Sequence, residues 1–226
     1  MDAKRYQLVE DYMRRCMIDS AHDREHVYRV LYTALMIARE DPEVDWEVLT
    51  CACLLHDIGR KEQFENPALC HAEVGAEKAF RFLTDNGFGA DFAERVRECI
   101  AAHRFRRNNQ PRTPEAKILF DADKLDVAGA MGIARSLLYQ GYTGTPLYNL
   151  SPDGDVLDGT GEREPSFFRE YRFKLEKLYD RFYTRRGRVL ALSRRQAAVD
   201  FYEALLREAR ESNEEGRAAL KALLQE

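Results

Sequence analysis

Cys51-Ala52-Cys53-Leu54-Leu55-His56-Asp57-Ile58-Gly59 is the stretch on which the reading of this chain turns. It extends an apolar run that begins at Val48 and ends on an imidazole and a carboxylate side by side. Within such a run a thiol behaves as a small hydrophobe. The pattern predicts a helix from about Asp45 to Asp57, with Gly59 as its C-terminal stop. His56 and Asp57 then fall in the last turn, where the negative end of the helix dipole and the unpaired carbonyls favour a cation. Neighbouring helical residues differ by ~100°, yet near a fraying end both side chains can converge on one centre. A core histidine bonded to a neighbour is the competing reading of His56. Asp57 weighs against it, because burying a carboxylate is costly unless it is paired or bound to a cation.

The same kind of position recurs on either side. Val27, Val30, Leu31, Ala34, Ile37 and Ala38 form a stripe at three-and-four spacing, with Asp23 as N-cap, and His26 lies on its inner edge. Asp41-Pro42 ends that helix. Asn66-Pro67 is a start signal for a third helix carrying His71, Gly75, Ala76, Ala79, Phe80 and Leu83. The small side chain of Gly75 allows another element to approach closely. A fourth helix presents Phe92, Val96, Cys99, Ile100 and His103 on one face, and a fifth runs from Pro114 to about Tyr139 with Asp123 between Leu119 and Val127. An inward carboxylate needs a partner, and a metal ion is the simplest one. Four of the five histidines therefore face inward from separate helices. His22, four residues before His26, precedes the expected cap and is the weakest candidate.

From Gly141 to Pro165 the periodicity stops. That segment holds five of the 13 glycines and three of the seven prolines. A loop this long is usually functional or disordered. It reads as a lid, with Tyr142, Tyr148 and Asn149 available to a base, or as a surface excursion. Helical patterning resumes from Ser166, with an aromatic-rich, core-forming stretch Phe167–Tyr183 and a last helix from about Ser193 to Leu224. The expected architecture is all-α, one domain over 1–226: a helical core (1–140), a loop insertion (141–165) and C-terminal helices (166–226).

Composition narrows the function classes. The chain has 226 residues, 35 Lys and Arg against 39 Asp and Glu, and a net charge of −4. Such a balance argues against a nucleic-acid coat. The longest apolar runs span about eight residues, against the ~20 of a membrane-spanning helix. Cys16, Cys51, Cys53, Cys70 and Cys99 form no CxxC pair and read as reduced thiols of a cytoplasmic protein.

His26, the His56-Asp57 dyad and Asp123 together resemble the H…HD…D signature of the HD-domain superfamily of metal-dependent phosphohydrolases. Asp23-Arg-Glu-His26-Val-Tyr-Arg29-Val30, Leu54-Leu-His-Asp-Ile-Gly59, His71-Ala-Glu-Val-Gly75-Ala76, Asp121-Ala-Asp-Lys-Leu-Asp126, Gly129-Ala-Met-Gly-Ile-Ala-Arg135 and Thr184-Arg-Arg-Gly187 are similar to the small stand-alone bacterial HD proteins of the YpgQ/YedJ type. The resemblance implies an HD-fold helical bundle whose metal ligands are His26, His56, Asp57 and Asp123. Mixed imidazole and carboxylate ligands suit Mn, Mg, Fe, Co or Ni. Asp57 is the natural bridging or water-orienting group, and one metal is favoured over two. His71 and His103 either ligate a second metal or hydrogen-bond a substrate phosphate. The implied activity is nucleotide pyrophosphohydrolysis, with phosphomonoesterase, phosphodiesterase and a non-catalytic nucleotide sensor as alternatives.

A phosphate reader is visible in the same segments. Arg60 and Lys61 follow the dyad; Arg104, Arg106, Arg107 and Arg112 follow His103; and Lys124 adjoins Asp123. Guanidinium forks suit phosphate oxygens. Arg60, Lys61, Arg104 and Lys124 are the expected substrate contacts, and Arg107 and Arg112 read better as solvated surface. Asp121 or Asp126 is expected to anchor a ligand histidine, with Arg29 paired to such an acid. The expected partner is a small nucleotide, with no membrane and no stable nucleic-acid partner; a homodimer is compatible with the sequence.

Overall fold

The computed structural model describes residues 1–17, 24–104 and 109–224. Its regular elements among these residues are helices, and an isolated antiparallel bridge joins Leu150 and Val156. The all-α reading holds. The helices are α1 (Ala3–Cys16), α2 (Arg24–Ala38), α3 (Trp46–Leu55), α4 (Arg60–Glu65), α5 (His71–Asp85), α6 (Ala90–Ala102), α7 (Pro114–Leu125), α8 (Gly129–Thr143), α9 (Phe167–Glu170) and α10 (Arg185–Leu223). None of them is long and apolar enough to cross a membrane.

Contacts divide the chain into two compact units, Met1–Asp126 with Phe182–Gly187, and Val127–Arg181 with Arg188–Glu226. In the first, α3 packs against α1, α2, α5, α6 and α7. Its Val48, Leu49, Cys51, Ala52, Cys53, Leu54 and Leu55 are all buried, which explains why the sequence shows an unbroken apolar run instead of a stripe. Asp45 caps it, accepting from the backbone N–H groups of Glu47 (3.0 Å) and Val48 (3.2 Å). Truncating a fully buried leucine such as Leu54 to alanine costs about 2–5 kcal/mol.

Gly59 works differently from the expected C-terminal stop. Its φ of −94° is not left-handed. It is small because a Cβ there would sit 2.3 Å from the His71 carbonyl oxygen and 2.6 Å from Gly75 N. The close approach expected at Gly75 is therefore made by a pair of glycines, which brings the end of α3 onto the start of α5. That helix begins at His71 and not at Asn66, whose side chain and carbonyl close a turn onto Ala68 and Leu69. The helices α1 and α4 lie outside the stretches read from periodicity.

The expected helix from Pro114 to Tyr139 is two helices. The break falls at Asp126–Ala128, and Gly129 has φ +67° with its N–H donating to Tyr179 Oη at 3.1 Å. A side chain at Gly129 would also meet Arg194 Cβ at 2.7 Å. The last helix starts at Arg185, eight residues before the expected Ser193. Asp121 sets that start: it accepts from Tyr183 N, Thr184 N and Thr184 Oγ1 at 2.9, 2.7 and 2.6 Å, and Thr184 Oγ1 accepts from Gly187 N.

In the second unit the stretch 167–183 is core, as expected, but is not one helix. A single α turn leads into a π turn (Tyr171–Leu175) and a 3₁₀ turn (Leu178–Asp180). Phe167, Phe168, Tyr171, Leu175, Leu178 and Tyr179 are buried. The long loop is fastened to α10 through residues 153–158. Tyr202 Oη donates to Asp158 O (2.6 Å), Arg210 Nε to Val156 O (3.4 Å) and Arg217 Nη1 to Asp155 Oδ1 (2.8 Å). Tyr148 stacks on Phe168, Asn149 donates to Glu162, and Tyr142 is exposed.

Candidate metal centre

Four imidazoles and two carboxylates converge in the first unit. His56 caps the C-terminus of α3, and His103 caps that of α6. Each ring folds back on its own last turn: His56 Nδ1–H donates to Cys53 O at 2.7 Å, and His103 Nδ1–H to Ile100 O at 2.6 Å. A helix end leaves carbonyls without intrahelical donors, so the local backbone itself fixes the ring tautomer. His26 on α2 donates from Nδ1 to Asp126 Oδ2 at 2.7 Å, and His71 at the start of α5 donates from Nδ1 to Gln63 Oε1 at 2.6 Å. With every Nδ1 committed as donor, all four Nε2 atoms are left to face inward.

Their spacing forms two groups that could each hold a metal ion, His26–His56–Asp123 and Asp57–His71–His103. In the first, His26 Nε2 lies 3.4 Å from His56 Nε2 and 3.3 Å from Asp123 Oδ1, and His56 lies 4.0 Å from Asp123. In the second, His71 and His103 Nε2 are 3.2 Å apart and lie 3.6 and 3.7 Å from Asp57 Oδ1. Asp57 joins the two groups, because its other oxygen, Oδ2, is 3.5 Å from His26 Nε2 and 3.6 Å from His56 Nε2.

These distances fit a divalent ion. Donors bound at about 2.0–2.2 Å around one centre are separated by about 3.0–3.7 Å when adjacent and about 4.0–4.4 Å when opposite. Asp57 Oδ2 is buried with no hydrogen-bond partner, and such a carboxylate oxygen calls for a cation. Facing Nε2 lone pairs repel unless a proton or a metal ion lies between them. The residues present thus suit the ion that the motif implies, and the anchoring of each Nδ1 matches the outer hydrogen bonds that orient metal-binding histidines.

Electrostatics agree. Burial alone lowers the His26 pKa, but Asp123, Asp126 and Asp57 outweigh it and raise it to about 10. Burial pushes Asp57 up, and Arg60 and the neighbouring histidines hold it well below the usual carboxylate range. Asp123 is likewise held low against burial, chiefly by His26. Burial first and Arg60 second push His71 down to about 2, and burial with the neighbouring His56 lowers His103 to about 4. The second pair of rings is therefore neutral at ordinary pH.

The outer candidates separate. Asp126 anchors His26 and also accepts from Arg29 Nε (2.7 Å) and Nη2 (3.0 Å), whereas Asp121 holds residues 183 and 184. Arg60 Nε donates to Asp57 Oδ1 at 2.9 Å. Arg104 Nη1 lies 3.9 Å from Cys70 Sγ, Lys124 Nζ lies 4.8 Å from the Phe120 ring centre, and Lys61 and Arg112 are exposed. His22, Arg106, Arg107 and the Asp23 cap lie outside the described residues. Gln63 was not anticipated: it is a polar residue of the short α4, and nothing in its neighbourhood marks it as the partner of a histidine eight positions on. All five cysteines are free thiols.

Comparison with known proteins agrees with this geometry. Residues 24–128 match the HD domain. The chain is 29% identical over 210 residues to YpgQ of Bacillus subtilis, an uncharacterised protein, covering 90% of this chain and 93% of that one. The crystal structure of YpgQ in complex with ADP superimposes with a TM-score of 0.69 at 25% identity, covering 90% of this chain and 97% of that one. An HD-superfamily hydrolase from Bacillus thuringiensis does so with a TM-score of 0.68 at 26% identity, over 91% and 96%. Residues 24–128 of this chain are accordingly similar to the HD domain, and the chain is similar over most of its length to YpgQ and to an HD-superfamily hydrolase.

Proposed function

We propose that the protein is a metal-dependent phosphohydrolase that cleaves a small nucleotide, converting a nucleoside or deoxynucleoside triphosphate to the monophosphate and pyrophosphate. The observation that carries this reading is the convergence of His26, His56, Asp57 and Asp123 around the buried Asp57 Oδ2. The nucleotide class is supported by the ADP bound to YpgQ, and hydrolysis by the HD-superfamily hydrolase of similar fold.

His26, His56, Asp57 and Asp123 would hold the ion. When bound, a divalent ion acidifies a water molecule and offsets charge on a phosphoryl oxygen. In the overall reaction the water oxygen bonds to phosphorus, the phosphoanhydride P–O bond breaks, and pyrophosphate leaves with the electron pair. Asp57, buried and ionised, orients the attacking water. His71 and His103, neutral and 3.2 Å apart, can hold or pass a proton beside it. Lys61, Arg104 and Lys124, with Arg60, serve as phosphate contacts. Mn, Mg, Fe, Co and Ni all suit this donor set.

The test is a panel of nucleotides and phosphodiesters incubated with protein reconstituted with each divalent ion, with products separated by ion-exchange chromatography. Pyrophosphate plus monophosphate supports the proposal. Orthophosphate or a linear nucleotide would reassign the protein to a phosphomonoesterase or a phosphodiesterase. Tight nucleotide binding with no product, unchanged in Asp57→Ala, would make it a sensor and overturn the enzymatic reading.

A further inference from the structure

The two metal-competent groups are not equivalent, and Arg60 is the difference. Both share Asp57, one oxygen each. On the His26–His56–Asp123 side the charge behind His26 is Asp126, and the Arg29 guanidinium pairs with that outer carboxylate, not with a ligand of the group. On the His71–His103 side a guanidinium sits against the shared carboxylate, Arg60 Nε lying 2.9 Å from Asp57 Oδ1. That oxygen is the one carboxylate donor of the second group. An ion there would have to share its only anionic ligand with a fixed positive charge.

We propose that Arg60 sets the number of metal ions: it is a built-in counter-ion that satisfies Asp57 Oδ1 and keeps the His71–His103 position weak, so that one ion is held tightly on the Oδ2 side. The inference rests on the metal-centre reading above. Its logic is local. An arginine three residues past Asp57, on the first turn of α4, reaches back to the dyad because Gly59 lets the chain turn tightly against α5. Arginine stays charged at every working pH, so the position cannot be vacated by deprotonation. Where the second ion is excluded, His71 and His103 keep their Nε2 atoms for water or substrate. Arg60 is thus a positioning residue acting through Asp57.

The experiment counts metal. Titrate the metal-free full-length protein with Mn²⁺ by calorimetry and count bound ions by elemental analysis after gel filtration, for wild type, Arg60→Gln, Arg60→Lys and the double variant Arg60→Gln/His71→Ala. Helicity by circular dichroism is the folding control. The wild type should hold one ion tightly, and a second only about tenfold or more weaker than in Arg60→Gln, the guanidinium charge being the difference. Arg60→Lys should behave as wild type, and removing His71 from Arg60→Gln should return the stoichiometry to one. Two equally tight ions in wild type, or no gain in Arg60→Gln with helicity intact, would overturn the role of Arg60 while leaving the metal centre standing. A wild type that binds no ion would instead sink the metal-centre reading itself.

Discussion

Replacing Asp126 by alanine tests whether the outer hydrogen bonds of the cluster are functional. Asp126 holds His26 Nδ1 at 2.7 Å and two Arg29 nitrogens at 2.7 and 3.0 Å. Its removal strands the Nδ1–H of a ring that is 1% exposed. A buried donor without an acceptor costs about 1–3 kcal/mol. The ring can recover that cost only by rotating, which takes Nε2 out of line with His56 and Asp123. The loss therefore lands on metal affinity, and 1–3 kcal/mol corresponds to a weakening of about 5–150-fold, bracketing the 10–100-fold typical of such outer partners. The Arg29 side of the network is partly exposed, so its loss adds little, about 0–1 kcal/mol of fold stability. Competition of Mn²⁺ between the protein and a fluorescent chelator measures the affinity, and a thermal melt checks the fold. Asp126→Asn, which keeps an acceptor for His26, should fall between wild type and Asp126→Ala. A Kd for Asp126→Ala within twofold of wild type, in a protein that melts normally, would refute the reasoning.

Three further outcomes follow from the same geometry. Gly59→Ala forces a Cβ into the His71 carbonyl and Gly75 N at 2.3 and 2.6 Å; since backbone cannot rotate aside, urea unfolding should show a loss of about 1–3 kcal/mol or more, whereas Gly75→Ala, whose nearest contacts are 3.4 Å, should be nearly neutral. Saturating the apo-protein with metal at a hundred times its Kd should stabilise it by about 2.7 kcal/mol, seen by calorimetry as a rise in Tm of several degrees that EDTA reverses; no shift would mean that the folded protein does not prefer the ion. Thiol labelling between pH 7 and 9 should mark Cys70 first, because the N–H groups of Glu73 and Ala72 and the Arg104 guanidinium outweigh its partial burial and lower its pKa. Burial pushes Cys51 and Cys99 up to about 12 and Cys53 well above its ordinary value, so these three should stay silent until the chain unfolds, and equal labelling of all five in native protein would contradict the packing of α3 and α6.

The proposed ligand residues were legible because each sits on an apolar face with a polar group out of place: His26 among Val27, Val30 and Leu31, and the His56-Asp57 pair after the buried run Cys51–Leu55. Periodicity carries that information directly. It does not carry the direction in which Asp57 turns its two oxygens, since a helix end leaves both rotations open until α2, α5 and α6 are in place. The choice between Asp121 and Asp126 was open for the same reason: both are buried, one on α7 and one at its C-cap, and only the packing of α2 on one side and residues 183 and 184 on the other assigns them. Arg60 reads in sequence as a phosphate contact, and its pairing with Asp57 depends on the tight Gly59 turn. The missed break at Asp126–Ala128 and the early start of α10 share one cause. Side chains distant in sequence, Tyr179 on Gly129 and Asp121 on Thr184, supply the caps.

The central claim is that His26, His56, Asp57 and Asp123 hold a catalytic divalent ion. Its most direct test is a crystal of the full-length protein grown with Mn²⁺ and measured at the manganese absorption edge. The account predicts a strong anomalous peak within bonding distance of His26 Nε2, His56 Nε2, Asp57 Oδ2 and Asp123 Oδ1. No peak among these four atoms, with the ion located elsewhere or absent at saturating Mn²⁺, would contradict it.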